Sequence, residues 1–439
     1  MSNKKADTVM NQTQEHELFP RLRFPDFQDE GGWHSGQLND ALLSISNGLV
    51  LEQGSDVTGY KVTRIETIAT GAIDPHRIGL VKTSQDISSY KLRVGDILLS
   101  NINSVAHIGK SAFVDHDYDL HHGMNLLRLV VNKSKHYPKF IFYLINTDEI
   151  RASLRERANK AVNQASINQT ELGKTEVALP LAPEQQKIAD CLSSLDNLIR
   201  LEAEKLDAIK AHKNGLMQQL FPAEGETLPK LRFPEFREAG EWTQMPLSKV
   251  CDVLQGYGFP VKLQGKNVGK YPFCKVSDIS RGVAESGGVL TEAANYVDDE
   301  DLRKLRAKPI PKGATVFAKI GEALRLNRRA FVQRDCLIDN NATGLKAIDG
   351  AATDYFVYLL SQRIDLNKHC GGAVPSVNKS TLEEIEVIVP DPDEQKRIAD
   401  CLSSLDDALA VQFRKVETFK IHKKGLMQQL FPVLDEVQE

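Results

Sequence analysis

Cysteine is scarce in this sequence, and what there is stands scattered. The six thiols fall at 191, 251, 274, 336, 370 and 401. None forms a CxxC pair, which excludes a zinc ribbon or a dithiol redox motif, and so thin a distribution excludes a disulfide framework. Long hydrophobic runs are also missing: no stretch approaches the roughly 18 uninterrupted apolar residues that a membrane span needs. The opening MSNKKADTVMNQTQEHE is polar and lacks an apolar h-region, so it reads as a tail and not a secretory signal. A reducing, cytoplasmic protein is expected. Charge of one sign is lacking as well. Lys and Arg number 55 against 59 Asp and Glu, a net charge of −4, which taken alone argues against a nucleic-acid coat protein.

Catalytic constellations are absent too. Gly109-Lys110-Ser111 lacks the glycine five positions earlier that a P-loop requires, and Gly265–Tyr271 has the wrong spacing. No two prolines are adjacent, which removes the NPPY/DPPY-type motif of amino-methyltransferases. Pro390-Asp391 followed by Glu394-Gln395-Lys396 echoes a nuclease signature, but the elements are too close together and read as a helix start. His116, His121 and His122 lie in an acidic, turn-like stretch and read as a surface loop, with no logic for a metal site.

What is present is an ordinary globular balance, 41% hydrophobic and 26% charged, and an internal repeat. Glu184–Pro222 aligns without gaps on Glu394–Pro432, with 23 of 39 positions identical. Upstream, PRLRFPDFQDEGGW (Pro20–Trp33) matches PKLRFPEFREAGEW (Pro229–Trp242). The order is short motif, variable block, helix, then the same again, so the 439 residues are one unit of about 210 residues used twice. Between the repeats the interiors diverge while the skeletons align, as in two versions of one module with different ligands.

The conserved segments read as long helices. Asp391-Pro392-Asp393-Glu394 supplies an N-cap, an N1 proline and acidic first-turn residues, and Pro222 and Pro432 follow the far ends. Apolar residues recur at steps of three and four: Ile188, Leu192, Leu195, Ile199, Leu206 and Ile209 in one copy, Ile398, Leu402, Leu405, Leu409, Val416 and Phe419 in the other. That spacing indicates a coiled-coil seam, broken by polar residues at Glu202 and Lys213, and at Gln412 and Lys423, which are placed to fix the register. Each helix would be roughly 55 Å long. Two such copies are expected to pair antiparallel about a pseudo-two-fold axis.

Each variable block mixes short β-type runs (Asp96–Ser100, Leu126–Val131, Thr315–Ala318, Glu386–Val389) with one or two helices, and so reads as an α+β domain. In the second block Arg303–Arg334 carries ten Lys/Arg and one acid, Glu322, a concentration of positive charge suited to DNA. Within it Lys319, Gly321, Arg325, Asn327, Arg328 and Arg329 include the side-chain types that read bases: arginine forks onto guanine and asparagine bonds adenine bidentately. Lys275 and Ser277 precede this run, and Gly372, Ser376 and Asn378 follow it. The first block offers a thinner set: Lys82, Ser84, Asn101, Asn103, Ser104, His107, Lys110 and Asn163. Such amides and small residues suit base edges and phosphates, and they equally suit turns.

Taken together, ALPLAPEQQKIADCLSSLDNLI and its second copy VIVPDPDEQKRIADCLSSLDDAL, the GDILLS…IGKSAFV run, the YPFCKVSDI…KIGEALRLNRRAFV…DNNATG run and GGAVPSVNKSTLEEIEV make a pattern that resembles type I restriction–modification specificity subunits. The resemblance covers nearly the whole chain from about Pro20. It implies a tail at 1–19, target recognition domains at 20–183 and, with a linker, 223–393, spacer helices at 184–222 and 394–432, and a second tail at 433–439. It further implies that each domain reads one half of a split sequence in double-stranded DNA, that the helices set the gap and dock two modification subunits, and that restriction subunits join the complex. S-adenosylmethionine, ATP and Mg2+ would be bound by those partners and none by this chain. The rival readings are a coiled-coil scaffold that recruits partners without reading DNA, and a free-standing enzyme.

Overall fold

The structure, a computed structural model, describes residues 17–51, 59–104, 108–161, 164–285 and 287–434. It divides into two units. One gathers the described residues up to Arg200 with those from Thr418 onward; the other is Leu201–Glu417. Each unit holds one variable block as a mixed helix and sheet domain.

In the first unit the central sheet is antiparallel and four-stranded, in the order Leu42–Asn47, Leu126–Val131, Ile97–Ser100, Ser111–Phe113. Ile97, Leu98 and Leu99 are all fully buried, as expected for a strand covered on both faces. One face is covered by helices Pro138–Ile145 and Asp148–Arg157, the second started by Thr147, whose side chain accepts from the Ile150 amide. In the second unit the sheet has five strands, in the order Cys251–Gln255, Ala342–Ala347, Thr315–Ala318, Ala330–Val332, Val289–Leu290. Helix Asp354–Arg363 packs on it, capped the same way by Thr353. The runs predicted as strands are strands, with bounds shifted by a residue at most.

The two short motifs do the same structural job. Arg23 forks onto the Glu184 carboxylate (2.9 and 2.8 Å), and Arg232 forks onto Glu394 (2.8 and 2.7 Å), both pairs nearly out of solvent. A bidentate arginine–carboxylate pair of this kind fixes geometry as well as charge. It locks the first turn of each long helix to the motif that opens its own unit.

The long helices run Ala182–Leu220 and Pro392–Leu430, each beginning two residues earlier than the sequence suggests and ending two earlier. In the first unit Leu430 and Phe431 join Ile188, Leu192, Trp33 and Phe140 in one core. In the second unit Leu220 and Phe221 join Ile398, Leu402, Trp242 and Phe356 in the equivalent core. The backbone agrees: the Leu22 amide donates to Gln429, and the Leu231 amide to Gln219, each at 2.9 Å. The apolar stripe thus serves two purposes. Ile188, Leu192, Ile398 and Leu402 pack into the recognition domains, with Leu405 partly buried against the second core; Leu206 and Val416 are buried further along, and Leu195, Ile199, Ile209, Leu409 and Phe419 lie along the same stripe outside those cores. Among the described residues no helix is long and apolar enough to cross a membrane.

One close approach recurs in both units. A Cβ on Gly48 would fall 1.8 Å from the Gly123 carbonyl oxygen, and one on Gly256 would fall 1.8 Å from that of Asp339. Backbone cannot retreat as a flexible side chain can, so Gly256→Ala is expected to cost about 1–3 kcal/mol. Denaturant unfolding followed in the second unit checks this.

Candidate nucleic-acid interface

In the second unit the strand register gathers loops at one end of the sheet. Gln255 lies opposite Thr343, Ala318 opposite Ala342, and Val316 opposite Ala330. The segments beyond Gln255 and Ala318, and those before Ala330 and Ala342, therefore emerge together. Lys319 donates its amide to Asn341 (2.8 Å) and accepts from the Val377 amide (3.0 Å), while the Gly321 amide reaches Pro375 (2.8 Å). Ile320 bridges Ser376. Gly321 sits at φ 78°, in the left-handed region that suits glycine. Lys319, Gly321 and Ser376, far apart in sequence, thus share one surface. Arg325 and Arg328 are exposed beside them.

Charge along the Arg303–Arg334 run is more neutralised than the sequence suggests. Of the Arg303–Arg334 cations, Lys304 pairs with Glu300, Arg325 with Glu322 and Arg334 with Glu292. Lys319 and Arg328 have no carboxylate within salt-bridge distance among the described residues, and so keep their charge available for an anion. Lys275 is half-buried, with its ammonium donating to Gln264 (2.7 Å) and lying 5.3 Å over the Phe259 ring, which stacks on Phe273. Ser277 and Gly372 are exposed.

Three of the sequence candidates have other work. Arg329 is 4% exposed, not presented to solvent. Its guanidinium lies 4.4 Å over the Phe317 ring and donates to the Ile364 carbonyl and the Asn327 side chain, both at 3.2 Å. Burial pushes its pKa down to about 10, and Asp365 acts in the opposite direction. Asn327, in the left-handed region at φ 52°, donates to Ile364 and accepts from the Leu366 amide. Neither side chain is free to reach a base edge, which corrects the sequence expectation for both. Asn378 is exposed, but its side-chain oxygen caps helix Lys379–Glu383 by accepting from the Thr381 amide (2.8 Å), so that oxygen is committed locally.

The first unit builds the equivalent edge. Asn47 lies opposite Leu127 and Ser100 opposite Leu126. The strand Ile102–Asn103 then pairs with hairpin Asn159–Ala161/Gln164–Ser166, placing Asn103 against Ala165. The Ile167 amide donates to the Asn101 carbonyl (2.9 Å), and the Asn101 side-chain oxygen is buried without a partner among the described residues. Lys82, Ser84 and Ser104 are exposed. Lys110 is half-buried and donates to the Ala69 carbonyl (3.3 Å), so it supports the loop. His107 and Asn163 lie outside the described residues.

The histidine cluster is not the surface loop it resembles. His116 is exposed, but His121 and His122 are buried, drawn in by bridges to Val62 and Lys91 and by the Leu49 and Thr63 amides. His122 Nε2 lies 2.9 Å from the Leu126 carbonyl, and burial pushes its pKa down to about 4, helped by Arg128. The unfolded chain protonates near 6.5, so stability held at neutral pH is lost as pH falls from there toward 4, by up to about 3 kcal/mol. Thermal melts from pH 7 to about 4.5 should show a smaller acid-induced drop for His122→Gln than for the parent.

The Asn340–Asn341 turn, part of the DNNATG run but not among the candidate residues, has exposed residues that sit against Lys319. The available signal was the position of Asp339–Asn341 immediately before the strand that pairs with Cys251–Gln255.

Two loop-bearing sheet edges, each on its own unit and each followed by its own long helix, define a two-module recognition protein. A family model described as the type I restriction modification DNA specificity domain matches twice, over residues 31–211 and 239–416. The MjaX type I restriction enzyme specificity subunit of Methanocaldococcus jannaschii is 32% identical over 438 residues, covering 96% of this chain and 97% of that one. The MjaVIII specificity subunit of the same organism is 23% identical, covering 66% and 68%. The crystal structure of the S subunit of a type I restriction–modification system from M. genitalium has the same fold, with a TM-score of 0.60 at 15% identity, covering 95% of this chain and 100% of that one. The chain belongs to the type I restriction–modification specificity family and is a specificity subunit with two tandem specificity domains.

Proposed function

We propose that each unit reads one half of a bipartite sequence in double-stranded DNA through its loop-bearing sheet edge, and that the two long helices act as an antiparallel coiled-coil spacer. The observation that carries this reading is the repeated edge. In both units a strand end, a glycine-permitted crossing and a returning loop converge, and in the second Lys319 and Arg328 stand there without a carboxylate partner among the described residues. Cations at such an edge fix the duplex by its phosphates, and the amides and arginines beside them read base edges. A rigid spacer suits readers whose half-sites lie about one helical turn, roughly 34–36 Å, apart or a multiple of that.

The same reading assigns the chemistry elsewhere. Two modification subunits dock on the helices, bind S-adenosylmethionine and methylate adenine after flipping it from the stack, and restriction subunits use ATP and Mg2+. This chain supplies specificity within a cytoplasmic complex. Titration of the assembled complex against duplexes bearing both half-sites, one, or neither tests the reading. Binding is expected to be tight only with both, intermediate with one, and weak and salt-sensitive with neither. Equal affinity for all three would overturn it.

A further inference from the structure

The two polar breaks in the helical seam are answered by partners in a repeated pattern. Lys423 donates to Asp196 (2.5 Å) in the first unit, and Lys213 donates to Asp406 (2.5 Å) in the second. Lysine matches lysine and aspartate matches aspartate at the repeat offset of 210 residues. Each aspartate takes a third partner from its own recognition domain. Tyr143, on Pro138–Ile145, donates to the second Asp196 oxygen at 2.7 Å, and Lys423 lies 5.1 Å over its ring. Tyr355, on Asp354–Arg363, donates to the second Asp406 oxygen. The tyrosines are not aligned positions: Tyr143 stands late in its helix and Tyr355 in the first turn of its own. Two different local solutions deliver the same hydroxyl to the same carboxylate.

Direction is set as well. In the second unit Glu202 takes Gln412 (2.6 Å) and Lys415 (2.5 Å), while Lys213, farther along the first helix, takes Asp406, farther back on the second. The helices there run antiparallel. Lys213 is 9% exposed, so its ammonium needs its partner. A slide of one heptad would carry it about 10 Å from Asp406 and leave a buried charge unpaired. Buried polar contacts of this kind are poor sources of stability and good sources of register. Burial and the neighbouring aspartate hold both phenols well above their usual pKa, so they remain donors.

We infer that Tyr143–Asp196–Lys423 and Tyr355–Asp406–Lys213 are positioning residues that tie each recognition domain to both long helices and so make the gap between the DNA half-sites single-valued. This rests on the spacer reading proposed above. The test is methylome sequencing of hosts expressing the full chain with its modification subunits, in parental form and as Tyr143→Phe/Tyr355→Phe with Asp196→Asn/Asp406→Asn. The parent is expected to methylate one gap length. The first variant is expected to keep both half-site sequences while methylation at gaps one base pair longer or shorter rises about tenfold, a loosening of the order of one pairwise coupling. If the fourfold variant does not assemble, Tyr143→Phe/Tyr355→Phe alone carries the same readout. An assembled variant as strict as the parent overturns the inference. A parent that methylates no bipartite site overturns the spacer reading itself, a result the parental arm reports separately.

Discussion

Arg328→Ala, in the assembled complex, is expected to weaken binding to the cognate duplex by about 1–3 kcal/mol and to relax base preference in the second half-site alone. Arg328 is exposed at the loop-bearing edge with no carboxylate partner among the described residues, so its guanidinium meets an anion or base without first breaking an ion pair. Arg329→Ala is expected to do something different. It removes a buried cation that holds the Ile364 carbonyl and stacks on Phe317. Losing charge-assisted bonds in a buried setting should cost about 2–3 kcal/mol of stability in the second unit, a fall of about 5–10 °C in melting temperature for a unit of this size. Adjacent arginines should thus separate cleanly, one in DNA titrations and the other in thermal melts. Altered base preference with unchanged melting for Arg329→Ala would contradict this assignment.

A matched insertion gives the second large effect. Adding one heptad to the first long helix between Leu198 and Leu206, and one at the equivalent place in the second between Ala408 and Val416, keeps the seam in phase and extends the rod by about 10 Å. At roughly 3.4 Å per base pair that is about three base pairs. Both half-site sequences are expected to survive, with the gap lengthened by about that amount in the methylation pattern. An unaltered gap would contradict the spacer.

The architecture was legible in the sequence because the repeat is covalent information. Glu184–Pro222 and Glu394–Pro432 declare themselves as helices through spacing and flanking prolines, and the polar breaks at Lys213 and Lys423 fall where those lysines pair with Asp406 and Asp196. The function of the opening motifs was not legible. That Arg23 and Arg232 fork onto Glu184 and Glu394 depends on contacts more than 160 residues apart. The candidate site was legible only in part. Lys319 and Ser376 were picked out by residue type, but the backbone contacts that bring them to one surface could not be counted off the chain. Arg329 looked like its neighbour because burial of a cation depends on what surrounds it, here the Phe317 ring and a carbonyl 35 residues on. His121 and His122 misled for the converse reason: polar, turn-like surroundings in sequence are folded under two strand bridges.

The central claim is that this one chain dictates both halves of the target, one unit to each half. It is tested most directly by sequencing the methylome of a host that expresses the chain with its modification subunits, beside a chimera whose residues 247–385 come from another specificity subunit. The account predicts one bipartite motif in each case, with the same gap and the same first half, and a different second half. A single continuous motif, or a chimera in which both halves change or neither does, would contradict it.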